Sequence, residues 1–345
     1  MAVTVYRLGT RGSVLATTQS GHVADALAEW GLACELVVVR TTGDVNRASL
    51  SQMGGTGVFA AELREALLDG RCDLAVHSLK DLPTTQPEGL VIGAVPLRLD
   101  PSDVLCTADG AGLADLPAGA RIGTGSPRRV AQILDIRPDL EMVDLRGNVD
   151  TRLGRVYGPG ADLDGVVLAR AGLERLGRLD PTPQYQGHHR VEVFDAAGAP
   201  RSAQVLGILP APGQGALAVE MRADDDTDLA AALRWLDHAA TRRAVTAERD
   251  VLAQLGVGCS APIGAFAYDV LPDGGRQCWM QLEAVVATPG GLVRRRGRVD
   301  ISPRLFGAYW GDLPSRLDPA IPPPDPVDVQ SLGTCVADKL AAAMR

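Results

Sequence analysis

Four short stretches of this sequence hold residues whose types and spacing could do chemistry. The first is His77-Ser78-Leu79-Lys80-Asp81-Leu82-Pro83, which follows an apolar run and sets a carboxylate beside an ammonium before a proline-fixed turn. A carboxylate at such a strand end can face a cleft and exchange protons with a ligand. The same residues would equally make a turn-capping Asp beside a solvated Lys. The second is Gly123-Thr124-Gly125-Ser126-Pro127-Arg128-Arg129, where Ser126 suits a helix N-cap and Pro127 the first helical position. Unbonded N–H groups and the dipole make that end an anion site. Arg128 and Arg129 oppose the dipole there, so they make better sense with an anion between them. An ordinary capped helix is the alternative. The third, Leu145-Arg146-Gly147-Asn148-Val149-Asp150-Thr151-Arg152, repeats the junction with an arginine on each side, and Arg11 with Ser13 forms a similar one. Arginine's planar fork suits carboxylates; phosphate competes, although no glycine-rich P-loop is present. The fourth, Gly256-Val257-Gly258-Cys259-Ser260-Ala261-Pro262, sets one thiol directly after two closely spaced glycines that thin out the backbone. It is either a candidate nucleophile or an inert cysteine.

Elements that would position these groups can be read from the hydrophobic pattern. Strands are expected at Val3–Leu8, Glu35–Val39, Asp73–His77, Arg121–Gly123, Leu140–Leu145 and Gly165–Ala169, with helices at Val14–Trp30, Gly57–Leu68 and Pro127–Ile136. The alternation implies α/β layers with largely parallel pairing. Leu97–Asp103 and Gly207–Gly215 read as two crossings between domains, and a ligand cleft would lie between them. After Asp237 the pattern changes to a helix through Arg249, strands at Pro262–Tyr268, Trp279–Val286 and Leu292–Val299, and a final helix at Val329–Ala343. This predicts a third, smaller α+β domain. Pro181–Ser202 and Pro303–Pro326 read as surface additions, and His188 and His189 in the first are weak metal candidates.

With 345 residues, 46% apolar and 4% aromatic, the chain can build several cores, mainly from Ala, Val and Leu. A net charge of −8 argues against a general nucleic-acid surface. Among 34 basic residues only Lys80 and Lys339 are lysines, so Lys80 is conspicuous inside the first motif. No apolar run is long enough to span a membrane, and the first residues lack the pattern of a signal peptide. Six scattered cysteines without a CxxC argue against a disulfide framework or a zinc site. The chain therefore reads as cytosolic, with no metal, nucleic-acid or membrane partner.

Taken together and in order, these segments resemble the hydroxymethylbilane synthase (porphobilinogen deaminase) family. The match runs from Leu8–Ser13 and Gln19 through Gly54–Phe59, His77–Pro83, Thr124–Arg129, Leu145–Leu153, Ala169–Gly177, Gly213–Gly215, Thr246–Arg249 and Cys259–Gly264. The resemblance implies two periplasmic-binding-protein-like (type II) α/β domains and a smaller α+β C-terminal domain. The expected division is 1–98 with 206–236, then 102–203, then 237–345. It also implies that four porphobilinogen molecules are joined head to tail with loss of ammonia. The primer would be a dipyrromethane cofactor held by a thioether to Cys259, and the protein would act as a monomer. Asp81 matches the family's catalytic aspartate, which would assist proton transfer to the leaving amino group and then face the resulting cation. Arg11, Ser13, Gln19, Phe59, Ser78, Lys80, Thr124, Ser126, Arg128, Arg129, Arg146 and Arg152 would bind cofactor and substrate. Gln52 and Thr56 stand where many relatives have lysine, Gly125 replaces a frequent serine, and Thr18 a frequent tryptophan. A non-catalytic two-domain binder of a small polycarboxylate is the rival reading. It leaves Cys259 and the third domain unexplained.

Overall fold

A computed structural model describes residues 4–39, 58–180, 190–225, 227–258, 261–270, 278–301 and 326–344. Two larger sheets and one small sheet organise them. The first contains β1 (Val5–Thr10), β2 (Ala33–Val38), β3 (Leu74–Ser78), β4 (Leu90–Ala94) and β11 (Leu217–Arg222), in the order β2-β1-β3-β11-β4. Helices α1 (Val14–Glu29), α2 (Val58–Leu68) and α6 (Thr227–Leu236) cover it. Its core interleaves Leu8, Val23, Leu27, Leu74, Val219 and Leu233. The alternate apolar positions of the strands and the i, i+4 pair Val23 and Leu27 on α1 meet there.

The second sheet contains β5 (Asp103–Thr107), β6 (Arg121–Gly123), β7 (Glu141–Val143), β8 (Gly165–Ala169), β9 (Arg190–Phe194) and β10 (Pro200–Leu206), ordered β7-β6-β8-β5-β10-β9. Helices α3 (Pro127–Ile136), α4 (Val149–Tyr157) and α5 (Arg170–Arg175) connect its strands. Residues 95–102 and 207–216 carry the chain between the two sheets without helix or strand. The first strand after each crossing lies antiparallel to both its neighbours: β5 beside β8 and β10, and β11 beside β3 and β4. That reciprocal insertion is the type II periplasmic-binding-protein-like arrangement.

Pairing is accordingly less parallel than the alternation predicts. Parallel pairs are confined to β1 with β2 and β3, and β6 with β7 and β8. A strand delivered from the other sheet enters in the opposite sense, which sequence alternation cannot register. A second correction concerns Pro181–Ser202. Residues 190–202 belong to the β9–β10 hairpin, whose turn is tied by Asp195 Oδ1 accepting from the Ala197 and Ala199 amides. Residues 181–189, with both histidines, and 302–325 lie outside the described residues.

The third unit is a meander of β12 (Ile263–Val270), β13 (Cys278–Thr288) and β14 (Gly291–Ile301), backed by α7 (Ala239–Gln254) and α8 (Pro326–Met344). Ala247, Val251, Met280, Leu282, Val336 and Leu340 form its own buried core.

Candidate active site

The Lys80–Asp81 pair sits where β3 ends. The strand runs into a single 3-10 turn, Leu79–Asp81, that stops at Leu82-Pro83. Leu79 and Leu82 are buried and anchor the turn, leaving Asp81 exposed at its tip. The Lys80 ammonium is half-covered but set deep among protein groups, and donates to Gln214 Oε1 at 3.1 Å. Loss of hydration brings its pKa down to about 8, against the pull of Asp81 and with help from the positive charge of Arg129. On α1, buried Gln19 accepts from the Ser78 hydroxyl at 3.1 Å. Ser13 caps the same helix through the Ala16 amide, and Arg11 lies half-buried between β1 and α1. Phe59 is in the first turn of α2, with its ring outside the described side chains.

Across from this turn stands the start of α3. Ser126 occupies the N-cap position, yet its side chain makes no capping bond, and Pro127 follows as the first helical residue. Thr124 is buried, and its hydroxyl accepts from the Ser126 amide at 3.3 Å. A side chain at Gly125 would meet the Leu145 carbonyl at 2.8 Å, so none fits here unless that backbone shifts.

Arg128 and Arg129 depart from the simple expectation of free anion ligands. Both are buried on the carboxylate of Asp103, which is itself fully buried. Arg128 Nη1 reaches Asp103 Oδ2 at 2.7 Å and the Leu209 carbonyl at 2.6 Å. Arg129 reaches Asp103 Oδ1 through Nη2 at 2.7 Å and the Val167 carbonyl at 2.8 Å. The two guanidiniums hold Asp103 well below the usual carboxylate range despite its burial. Two cations on one anion leave a net positive charge buried at the start of α3. Arg128 Nε is buried with no hydrogen-bond partner among the described residues.

The third junction adds to that field. Asn148 caps α4 by accepting from the Thr151 amide at 2.8 Å, and Arg152 Nε donates to the Gly147 carbonyl at 2.8 Å. Gly147 has φ of +103°, the left-handed region that glycine tolerates. Arg146 lies 3.7 Å from Asp144. Burial lowers the Arg152 pKa, with neighbouring Arg129 and Arg146 adding to the effect and Asp144 and Asp81 opposing it. Asp81, on the first unit, is therefore within electrostatic reach of Arg152 on the second.

Two residues that sequence reasoning missed join the halves. Gln214 donates to Asp103 Oδ1 at 2.8 Å and to the Pro101 carbonyl at 2.6 Å while accepting from Lys80. The buried carboxylate of Glu248, on α7, pairs with Arg98 at 2.7 and 3.0 Å and accepts from the amides of Gly213 and Ala267. Gln214 lay within a crossing and, like Glu248, within a segment of the family match to which no role was attached.

Cys259 lies outside the described residues, which stop at Gly258, four residues beyond the end of α7 at Gln254, and resume at Ala261. Among the other cysteines, burial pushes the Cys34 and Cys72 thiols up to about 11 and Cys106 to about 12. Those three are poor nucleophiles at neutral pH. Among the described residues no group of three or more His, Cys, Asp or Glu could hold a metal ion.

Residues 6–230 match the family model described as porphobilinogen deaminase, dipyromethane cofactor binding domain, and residues 242–304 match the porphobilinogen deaminase C-terminal domain. The chain belongs to the porphobilinogen deaminase family. A porphobilinogen deaminase of Micrococcus luteus is 48% identical over 97% of this chain and 92% of its own. One from Cutibacterium acnes is 47% identical over 97% and 93%, and one from Thermobifida fusca 53% over 84% of each. The porphobilinogen deaminase cofactor domain thus spans both larger sheets, and the C-terminal match covers the unit that leads to Cys259.

Proposed function

We propose that this chain joins four porphobilinogen molecules head to tail into hydroxymethylbilane, releasing ammonia, on a dipyrromethane tethered by a thioether to Cys259. The observation that carries the reading is the polar bridge from Lys80, beside Asp81, through Gln214 and Asp103 to Arg128 and Arg129. It brings one exposed carboxylate near a surplus of arginine. The donor set fits a polycarboxylated pyrrole chain: a Ser126 hydroxyl that makes no capping bond, an Arg128 Nε without a partner among the described residues, and the guanidiniums of Arg146 and Arg152. Arg11, Ser13, Thr124, Gln19, Ser78 and Phe59 complete the proposed lining.

The bound dipyrromethane would supply the pyrrole carbon that attacks the first substrate. The remaining work falls to the chain. The Asp81 carboxyl delivers a proton to the substrate amino group as ammonia leaves, and its carboxylate then faces the cation left on the substrate. After the new carbon–carbon bond forms, Asp81 takes up the displaced pyrrole α-proton and is ready for the next turn. Lys80, largely charged at neutral pH, balances that carboxylate between turns. Arginines on the second unit hold the acetate and propionate groups and so orient each ring.

The assignment of units is 1–98 with 206–236 around Asp81, 102–203 for the arginine side, and 237–345 for the tether. The protein is read as a cytoplasmic monomer acting on a small molecule, without nucleic acid or membrane. Among the described residues no helix is long and apolar enough to cross a membrane. The deciding experiment is intact mass with product assay. Active protein should exceed its sequence mass by two deaminated porphobilinogen units, and Cys259→Ser should lack both the adduct and the activity. A bare, inactive wild-type chain would leave the polycarboxylate binder standing.

A further inference from the structure

The segment Thr246–Arg249 matters beyond its place in the family match. Arg249 projects from the middle of α7 in the third unit and grips the turn that carries Asp81 in the first. Its Nη1 donates to the Leu79 carbonyl at 2.9 Å and the Leu82 carbonyl at 2.8 Å, and its Nη2 to the Pro83 carbonyl at 2.7 Å. Leu79 O also accepts the turn's own bond from the Leu82 amide at 3.2 Å, so the guanidinium closes around the 3-10 loop at both its ends. Val245, one helical turn earlier, packs in the same buried cluster as Leu79 and Leu82. None of these contacts touches the Lys80 or Asp81 side chain. They fix the backbone from which Lys80 and Asp81 project.

We propose that Arg249 is a positioning residue for Asp81: it locks the Leu79–Pro83 backbone so that the carboxylate is aimed into the cleft. A charged fork reaching three carbonyls at once is the geometry that a lysine's single ammonium reproduces only in part. The same helix ends five residues on and leads through Gly256 to Cys259. This inference rests on Asp81 acting as the functional reading has it.

The test uses the full-length cofactor-loaded protein. Arg249→Gln should still carry the two-pyrrole mass on Cys259, while kcat falls about ten- to a hundredfold with KM within about twofold, the loss expected for one charge-assisted interaction. Arg249→Lys should recover part of that rate. In an Asp81→Asn background Arg249→Gln should cost less than about threefold, because the group it aims is already disabled. In the unloaded Cys259→Ser protein, Arg249→Gln should speed amide exchange in the 79–83 peptide while the α7 peptides keep their protection. Equal fold-losses in both backgrounds, a rise in KM alone, or no rescue by lysine would overturn the inference. If Arg249→Gln does not fold, the comparison is made with Arg249→Lys on the same criteria. An inactive wild-type chain without adduct would instead overturn the functional reading itself.

Discussion

At the scale of single residues, the exposed Asp81 and its neighbour Lys80 invite separate tests. Asp81→Asn is nearly isosteric and should leave the two-pyrrole adduct in place, yet it can neither exchange a proton nor offer full negative charge. Turnover should fall by about two or more orders of magnitude, as is typical for loss of a general acid–base group. Asp81→Glu should retain more activity than Asp81→Asn, and an Asn variant as fast as wild type would remove Asp81 from the chemistry. Lys80 offers a cleaner pH experiment, because the chain has only one other lysine, the exposed Lys339. In the cofactor-free protein Lys80 should become reactive toward an amine-acylating reagent as pH rises through about 8. The sign follows from its lowered pKa. Below about 8 both the folded and unfolded chains hold the proton, whereas between there and the ordinary lysine value only the unfolded chain does, so deprotonation favours the fold as pH rises. Binding of carboxylates beside Lys80 should move its midpoint upward, since added negative charge favours the ammonium. Peptide mass mapping across a pH series reads both effects.

At the scale of elements, the arginines at two helix starts should divide the work of holding a growing chain. Arg128 and Arg129 open α3, and Arg146 and Arg152 flank the start of α4. Each added ring brings two more carboxylates, so negative charge must settle at different points along the cleft. Substituting leucine for one arginine at a time should either block cofactor uptake or stall the protein with one, two or three extra pyrroles, seen as a mass ladder on Cys259. Arg128→Leu and Arg129→Leu should also lower stability, because each strips one of the two cations from a buried carboxylate. Uniformly slowed variants with an unchanged ladder would show that these arginines only attract substrate.

These helix starts were legible because the signal is local. Pro127 after Ser126, and Gly123 and Gly165 beside short apolar runs, give the bounds of α3, β6 and β8 residue for residue. Strands β5 and β11 were not legible, since the apolar run of β5 is only three residues long, Glu220 interrupts that of β11, and their order in the sheets depends on distant partners. The same holds for the site. Lys80, Asp81 and the arginines stand in readable motifs, but the contacts that organise them span 134 residues from Lys80 to Gln214 and 150 from Arg98 to Glu248. No pattern within a window of sequence carries such information.

At the scale of the whole molecule, Glu248 is the joint. Its one buried carboxylate takes Arg98 from the first crossing, the Gly213 amide from the second, and the Ala267 amide from the third unit. Glu248→Leu would leave the nearly buried Arg98 guanidinium without its anion, at a cost of about 3–5 kcal/mol. Denaturant unfolding should show a correspondingly lower midpoint, whereas Glu248→Gln, which keeps two acceptor sites on its oxygen, should lose less. A midpoint unchanged in the leucine variant would mean that the joint contributes nothing to stability.

The insertion of β11 between β3 and β4 has a consequence for the order in which the chain can be made. The central seam of the first sheet waits for residues 217–222, although its other strands are complete by residue 94. The second sheet is drawn from one uninterrupted stretch, from Asp103 to Leu206. During synthesis the half made second can therefore close first, while the earlier half stays open along two unpaired strand edges. Domains emerging from the ribosome usually fold from the N-terminus onward, and here topology reverses that order. Stalled nascent chains ending near residue 210, probed by brief proteolysis, should show the 103–206 segment protected and the 5–94 segment cut. Protection of the N-terminal segment at that length would mean that the first sheet can form without β11.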